Sequence, residues 1–316
     1  MSATSFPDLE SLRGAGKAAL ARALAQLERA AGTPEAARLL DAAAAEPKGE
    51  VLGLTGPPGV GKSTLTGALV RAMRANGLSV GVVAVDPSSM RSGGALLGDR
   101  ARIPTDPEDT GVFVRSYAAR DRLGGLSDLA FGAAILMRAL FDRVIVETVG
   151  VGQSEADVAI VGDTVLLAVQ PASGDALQFI KAGVMELPDV VVVTKADLGV
   201  PARRARDDLE SALSLAAAAD PDWEVPVTLV SADTGEGLDA LWSHLSAHSA
   251  FLGEGDRLER RRRAQSEARL DAALKGRFGT EGARAAHDVL SGFAGGPFAR
   301  EAEAARVLRG RLRPIQ

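Results

Sequence analysis

The sequence predicts an α/β fold, a mostly parallel sheet with helices on both faces, extended by helices at both ends of the chain. Three observations carry it. Short runs of Val, Leu and Ile recur through the middle of the chain without polar alternation, the pattern of strands buried on both faces. Longer helical patterns separate most of these runs, as βαβ units require. Glycine-rich and acidic motifs follow directly on the apolar runs, at the carboxyl ends of strands where such sheets bind ligands.

Composition sets the outer bounds. A chain of 316 residues suits one large α/β domain with appended helices. Its 46% apolar content can fill a sizeable core, and its 35 glycines provide for tight turns and backbone-lined sites. A net charge of −5 and a pI near 5.4 argue against nucleic acid as partner and fit a cytoplasmic protein. With no cysteine, disulfides, thiolate metal sites and thiol nucleophiles are all excluded. No apolar run reaches the roughly 18 residues of a membrane span. Met1–Glu10 carries Asp8 and Glu10 and lacks the apolar core of a secretory signal.

The elements follow in order. Residues 9–45 read as two helices broken at Gly32-Thr33-Pro34, with Thr33 as N-cap and Pro34 at the first helical position. They make residues 1–48 an N-terminal helical extension. Strands are expected at Val51–Thr55, Val80–Asp86, Val112–Ser116, Val144–Thr148, Val165–Gln170, Val190–Thr194 and Val227–Val230. Helices are expected between them, at Leu126–Phe141 and Ala202–Ala218 among others, so residues 49–252 form the nucleotide-binding domain. Residues 253–316 turn to Arg, Ala and Glu, with Phe278, Leu290, Phe293 and Phe298 as sparse apolar anchors. They read as a helical arm outside the sheet, with a homodimer as the expected assembly.

Gly56-Pro57-Pro58-Gly59-Val60-Gly61-Lys62-Ser63, followed by Thr64, matches the phosphate-loop pattern in full, between an apolar strand and a helix. Glycines let backbone N–H groups curl round phosphates where a side chain would block the approach. Lys62 is placed for the β- and γ-phosphates, and Ser63 offers a hydroxyl to magnesium.

Phosphate loops serve ATP and GTP alike, so the base is read elsewhere. Thr194-Lys195-Ala196-Asp197 closes an apolar strand. A carboxylate at Asp197 accepts from the guanine ring N–H and the exocyclic amine. Adenine would leave that charge unpaired, which makes discrimination sharp. The stem of Lys195 can lie over the ring face. Ser231-Ala232-Asp233 follows another strand and offers backbone N–H to the guanine carbonyl oxygen. Together these features predict GTP and GDP as the nucleotides, with magnesium.

Glu147 ends another strand, ahead of Thr148-Val149-Gly150-Val151-Gly152-Gln153. An acid there can hold a magnesium-bound water, and Gly150 can offer its N–H to the γ-phosphate. The stretches TGPPGVGKST, VDPSSMRSGGALLGDR, ETVGVGQSE, QPASGDALQFIKAGVMEL and TKADL resemble the MeaB/ArgK GTPases, over roughly residues 50–250. The resemblance implies a phosphate-loop GTPase of the SIMIBI class, to which the signal-recognition-particle and nickel-insertion GTPases also belong. It further implies a chaperone that gates adenosylcobalamin loading and protects a cobalamin-dependent acyl-CoA mutase, chiefly methylmalonyl-CoA mutase. Carried over by residue, it implies Lys62 and Ser63 for phosphates and metal, with Asp86, Asp99 and Glu147 around the magnesium. Gln170–Lys181 matches a loop that in the family answers to the mutase. The family's base motif usually begins with Asn, where this chain has Thr194.

Val151 stands where fast G proteins place a water-orienting Gln, so intrinsic hydrolysis is expected to be slow. Asp99 or Gln153 would supply the missing order when a switch closes. Gln153 reads equally as a helix-start residue satisfying backbone N–H groups. A metal-insertion GTPase of the nickel type is an alternative, yet its ligands would have to come from three histidines. Of these, His244 and His248 are spaced i, i+4, more commonly a solvated helix face. A transport-linked kinase or ATPase is a further alternative, without visible phosphoacceptor chemistry. The run Arg260–Arg263 lacks interleaved aromatics and reads as a solvated or dimer-facing helix.

Overall fold

The computed structural model describes residues 6–86, 103, 106, 108–118, 126–148, 154–171, 187–215 and 220–311, with residues 86, 154–156 and 311 described in the backbone alone. Its centre is a sheet of strands β1 (Glu50–Thr55), β2 (Val80–Asp86), β3 (Val112–Ala118), β4 (Arg143–Glu147), β5 (Thr164–Val169), β6 (Val190–Val193) and β7 (Val227–Leu229). All seven run parallel, in the order β3-β2-β4-β1-β5-β6-β7. The expected strands are each present within about two residues of their expected ends.

The two faces separate by alternation along each strand. Val144 and Val146 of β4 pack on one side, with Leu24, Leu40, Ile135 and Leu136. Ile145 between them packs on the other, with Leu65, Leu69, Leu241 and Leu245. The first face is covered by α5 (Asp128–Arg138) and by the N-terminal helices α1 (Leu9–Arg13), α2 (Gly16–Arg29) and α3 (Pro34–Ala45). The second is covered by α4 (Lys62–Ala75) and α8 (Leu238–Leu252), while α6 (Ser154–Ala159) follows β4. α7 (Val200–Leu213) buries Leu209 against Leu167, Val169, Val191 and Val193.

Thr33 caps α3 as expected, its hydroxyl accepting from Ala36 N at 3.3 Å ahead of Pro34. The N-terminal segment nevertheless holds three helices, not two. The chain breaks at Gly14-Ala15, and Gly16 opens α2 with a positive φ of 72°.

At the other end, α9 (Arg257–Leu290) bends at Gly279, and α10 (Pro297–Arg311) folds back along it and onto α3. Asp41 of α3 caps α10, accepting from Phe298 N and Ala299 N at 2.9 Å each. Of the expected anchors, Leu290 and Phe298 are buried, and Phe298 packs on Phe131 with ring centroids 6.0 Å apart. Phe293 is not an anchor, since it lies exposed in the turn before α10.

The arginine run is solvated at only two of its four places, with Arg260 and Arg263 exposed and Arg261 and Arg262 turned toward the sheet. Arg261 forks onto Asp189 at 2.9 and 2.6 Å, and Arg262 forks onto Asp163 at 2.8 Å through both contacts. These two aspartates precede β6 and β5, so α9 is latched beneath the amino ends of the strands. His248 is likewise not on a solvated face. It is buried, with Nδ1 2.8 Å from Thr164 Oγ1 and Nε2 3.3 Å from Asp189. Trp223 packs edge-on to His248 and donates its indole N–H to Asp189 O at 2.8 Å. Among the described residues, no helix is long and apolar enough to cross a membrane.

Candidate active site

The carboxyl ends of β1, β4, β6 and β7 converge on one edge of the sheet. The chain leaves β1 toward β2 on one side and takes up β5 on the other, so a crevice opens at the tip of β1. The loop Gly56–Gly61 fills that crevice and feeds α4. Gly56 allows no side chain, because a Cβ there would lie 2.1 Å from Ala168 O of β5. Gly61 is required for a different reason: its φ of 100° starts the helix from the left-handed region.

No side chain caps α4, and its first turn carries no acid. Among the described residues, the N–H groups of Gly59, Gly61 and Ser63 find no protein acceptor. A cluster of unmet donors at the head of a 14-residue helix suits phosphate oxygens in charge and direction. Lys62 is largely buried and reaches back along the loop, donating from Nζ to Gly56 O at 2.7 Å and to Pro57 O at 3.0 Å. Thr64 is exposed on the first turn of α4.

Beside the loop stands Glu147, the last residue of β4 and itself buried. Ser63 Oγ donates to its Oε1 at 2.7 Å, and Thr66 Oγ1 donates to its Oε2 at the same distance. This hydroxyl–carboxylate pair is an oxygen-donor set suited to magnesium and its waters. Thr66 went unnoticed in the sequence. The available signal is its spacing: three residues after Ser63 places it one turn on, along the same face of α4.

The elements that the sequence assigns to base reading are tied to the loop. Thr194 is buried, and its hydroxyl donates to Val60 O at 2.7 Å, with Val169 O at 3.2 Å. It therefore braces the base strand against the phosphate loop, which gives this threonine a positional role. Lys195 adopts the left-handed region at φ 55° and ψ 45°, and its Nζ donates to Gln170 Oε1 at 2.8 Å. Ala196 N donates to Val230 O at 3.1 Å, joining the ends of β6 and β7. That twist carries Asp197 to the exposed rim.

Ser231 is buried, its N–H donating to Glu236 O at 3.0 Å, and its hydroxyl accepts from Thr234 N at 3.4 Å. The turn so formed presents Ala232 half-buried and Asp233 exposed, next to the base side of the crevice. Asp99, Gly150 and Gln153 lie outside the described residues, as do Val151 and residues 172–181 of the segment matched to the mutase-facing loop. Asp86 ends β2, and its side chain is also outside the description.

The sequence assigns guanine selection to Asp197, and that expectation is testable. Asp197→Asn removes an acceptor for the ring N–H and should weaken GTP about a hundredfold, near 2.7 kcal/mol. The same change should favour xanthine nucleotides, whose ring carbonyl accepts where guanine's amine donates. Calorimetry with GTP, ATP and XTP measures both effects, and unchanged GTP affinity would remove Asp197 from the base site.

Residues 20–281 match the family described as Methylmalonyl Co-A mutase-associated GTPase MeaB. A relative from Pyrococcus horikoshii, assigned to the GTPases, is 42% identical over 233 residues, covering 72% of each chain. The Mus musculus protein named Methylmalonic aciduria type A homolog, mitochondrial, is 42% identical over 194 residues, spanning 60% of this chain and 47% of its own length. A crystal structure described as LAO/AO transport system kinase superposes with a TM-score of 0.67 at 28% identity, covering 98% of this chain and 99% of that one.

Proposed function

The chain belongs to the MeaB family of methylmalonyl-CoA mutase-associated GTPases, and from that membership we propose that its GTP cycle serves a cobalamin-dependent acyl-CoA mutase. The chain itself is a GTPase that binds guanine nucleotides. In the proposed role it gates adenosylcobalamin loading and protects the mutase, with methylmalonyl-CoA mutase as the first partner to test. The observation that carries this is the family match across residues 20–281, whose description names the mutase association. The mouse relative, named for methylmalonic aciduria, supports the same partner class.

In this reading the donors of Gly59, Gly61 and Ser63 receive the phosphate oxygens, and Lys62 swings from the Gly56 and Pro57 carbonyls to the β- and γ-phosphates. Magnesium, when bound, supplies charge that offsets the negative charge developing on the phosphoryl oxygens. Ser63 would hold it directly, with Glu147 orienting a bound water and Asp86 and Asp99 completing the set. Gly150 would steady the γ-phosphate. Asp99 or Gln153 would order the attacking water once the segments bearing them close. The arm of residues 253–316 is taken as the homodimer contact, beside a domain of residues 49–252 and a helical extension of residues 1–48, in a cytoplasmic setting.

Val151 lacks an amide to orient water, so basal turnover should be low and the partner should raise it. A hundredfold stimulation takes about 2.7 kcal/mol of preferential binding to the closed state, a modest demand on a protein interface. Steady-state phosphate release with and without the mutase of the same organism measures it, with Asp99→Ala expected to bind GTP and lose most of the stimulation. Fast basal turnover, or indifference to the mutase, would overturn the chaperone role.

A further inference from the structure

Among its buried residues, α4 carries a polar side chain at two places, Lys62 at its start and Thr66 one turn on. Thr66 is 0% exposed, and its buried neighbours along the helix are Leu65, Ala68, Leu69, Val70 and Met73. Valine has the same shape and would fill the place without a hydroxyl to satisfy, so the polar choice requires a partner. A threonine inside a helix commonly turns its hydroxyl back to a carbonyl of the preceding turn. Thr66 instead donates to Glu147 Oε2 at 2.7 Å, across to another element of the fold.

The sheet fixes Glu147 through its backbone. It pairs with Leu54 of β1 and Ala84 of β2 in the parallel ladder. Thr148, the next residue, donates its N–H to Leu54 O at 3.1 Å and its hydroxyl to Thr55 Oγ1 at 3.2 Å. The ladder does not reach the end of the side chain, where a glutamate carries its carboxylate on a stem with rotamer freedom to lose. That end is held by α4. Ser63 Oγ donates to Oε1 and Thr66 Oγ1 to Oε2, from places three residues apart on one helix face. One contact fixes a point; two, one on each oxygen, fix the plane of the carboxylate.

We propose that Thr66 is a positioning residue for magnesium, its hydroxyl holding the Glu147 carboxylate at the angle from which it takes a metal-bound water. The inference rests on the magnesium role given above to Ser63 and Glu147. The two hydroxyls are not equivalent in that role. Ser63 is assigned to the metal itself, so its bond to Glu147 changes as the metal comes and goes. Thr66 lies one turn deeper in the helix, and its bond is independent of the metal. A hydroxyl on a buried carboxylate makes a charge-assisted bond, stronger than a neutral one. Groups that orient the ligands of a metal from behind change its affinity by about ten- to a hundredfold when removed.

The test is the magnesium dependence of nucleotide retention by the full chain. Dissociation of fluorescent N-methylanthraniloyl-GDP is followed as magnesium is varied, with single-turnover GTP hydrolysis over the same range. Thr66→Val keeps the shape and removes the hydroxyl. It should raise the half-saturating magnesium concentration about tenfold in both measurements, with GDP affinity in EDTA within about twofold of wild type. Thr66→Ser keeps the hydroxyl and removes the methyl. It should melt lower, yet restore the magnesium requirement to within about twofold of wild type. Glu147→Gln tests the underlying role and should raise the requirement at least as far as Thr66→Val. If Glu147→Gln raises it and Thr66→Val leaves it at the wild-type value, Thr66 is no positioning residue and the role of Glu147 stands. If Glu147→Gln leaves it unchanged, the magnesium role of Glu147 falls and this inference falls with it. Equal shifts in Thr66→Val and Thr66→Ser would assign the effect to packing and overturn the part given to the hydroxyl. Should Thr66→Val fail to fold, Thr66→Cys, whose thiol is a weaker donor, should raise the requirement about threefold. A wild-type requirement in that variant would overturn the inference equally.

Discussion

Replacing Lys62 with alanine is expected to lower GTP turnover by at least three orders of magnitude, about 4 kcal/mol of transition-state stabilisation. Phosphoryl transfer gives the protein little covalent chemistry to do, so rate comes from fixed positive charge and positioning. Lys62 is the only lysine in the loop-to-helix turn, and its ammonium is held within reach of that turn by Gly56 O and Pro57 O. The loop itself should survive the change. Its path is set by Gly56 against Ala168 and by the left-handed Gly61, neither of which depends on the lysine. Losing two hydrogen bonds to carbonyls at the edge of the crevice should cost stability only about 1 kcal/mol. Single-turnover hydrolysis together with thermal melting separates the two effects. A variant that folds and still hydrolyses GTP within tenfold of wild type would remove the loop from the active site.

Most of the sheet was legible because strands buried on both faces leave no polar residue to interrupt the pattern. Val190–Val193 and Thr164–Val169 are apolar or small at nearly every place, and their ends fell within a residue of expectation. The phosphate loop was legible for a related reason. Backbone that must bend to contact phosphate calls for glycine, and glycine at fixed spacing is visible in a sequence. The rest depended on contacts between distant residues. Spacing puts Thr66 on the face of Ser63, but nothing local names its partner Glu147, 81 residues away. Thr194 was read as part of the base motif, yet its hydroxyl reaches across 134 residues to Val60 O. The arginine run was misread at two of its four places, Arg261 and Arg262. Four successive arginines look solvated, and only the fold brings Asp163 and Asp189 beneath two of them.

Those two ion pairs yield the other large effect: Arg262→Ala is expected to destabilise the fold by about 3–5 kcal/mol, and Arg261→Ala by a similar amount. Neither carboxylate can return to water when its arginine is removed, since Asp163 is fully buried and Asp189 nearly so. Each is also fixed to the sheet. Asp163 Oδ2 accepts from Val51 N at 2.8 Å, and Asp189 Oδ2 accepts from Val165 N at 2.7 Å. Truncation therefore takes the paired guanidinium from a buried carboxylate and does not merely delete a contact, leaving Asp189 with the His248 ring as its remaining side-chain partner. Burial alone would raise the Asp189 carboxyl, but the His248 hydrogen bond and Arg261 overcome it and hold it below the usual carboxylate range. A carboxyl lowered on folding binds its proton more weakly in the folded chain. Its contribution is complete above the unfolded value, near 4, and is lost as the pH falls through the folded one. Urea denaturation at pH 7 should show both single variants strongly destabilised. The Arg261→Ala penalty should then shrink as the pH drops below about 4, where Asp189 can protonate. Because the pairs lie at the amino ends of the strands, GTP affinity of the folded fraction should be unchanged. Midpoints within the error of wild type at pH 7 would show that α9 is held by its apolar contacts and that these bridges contribute nothing.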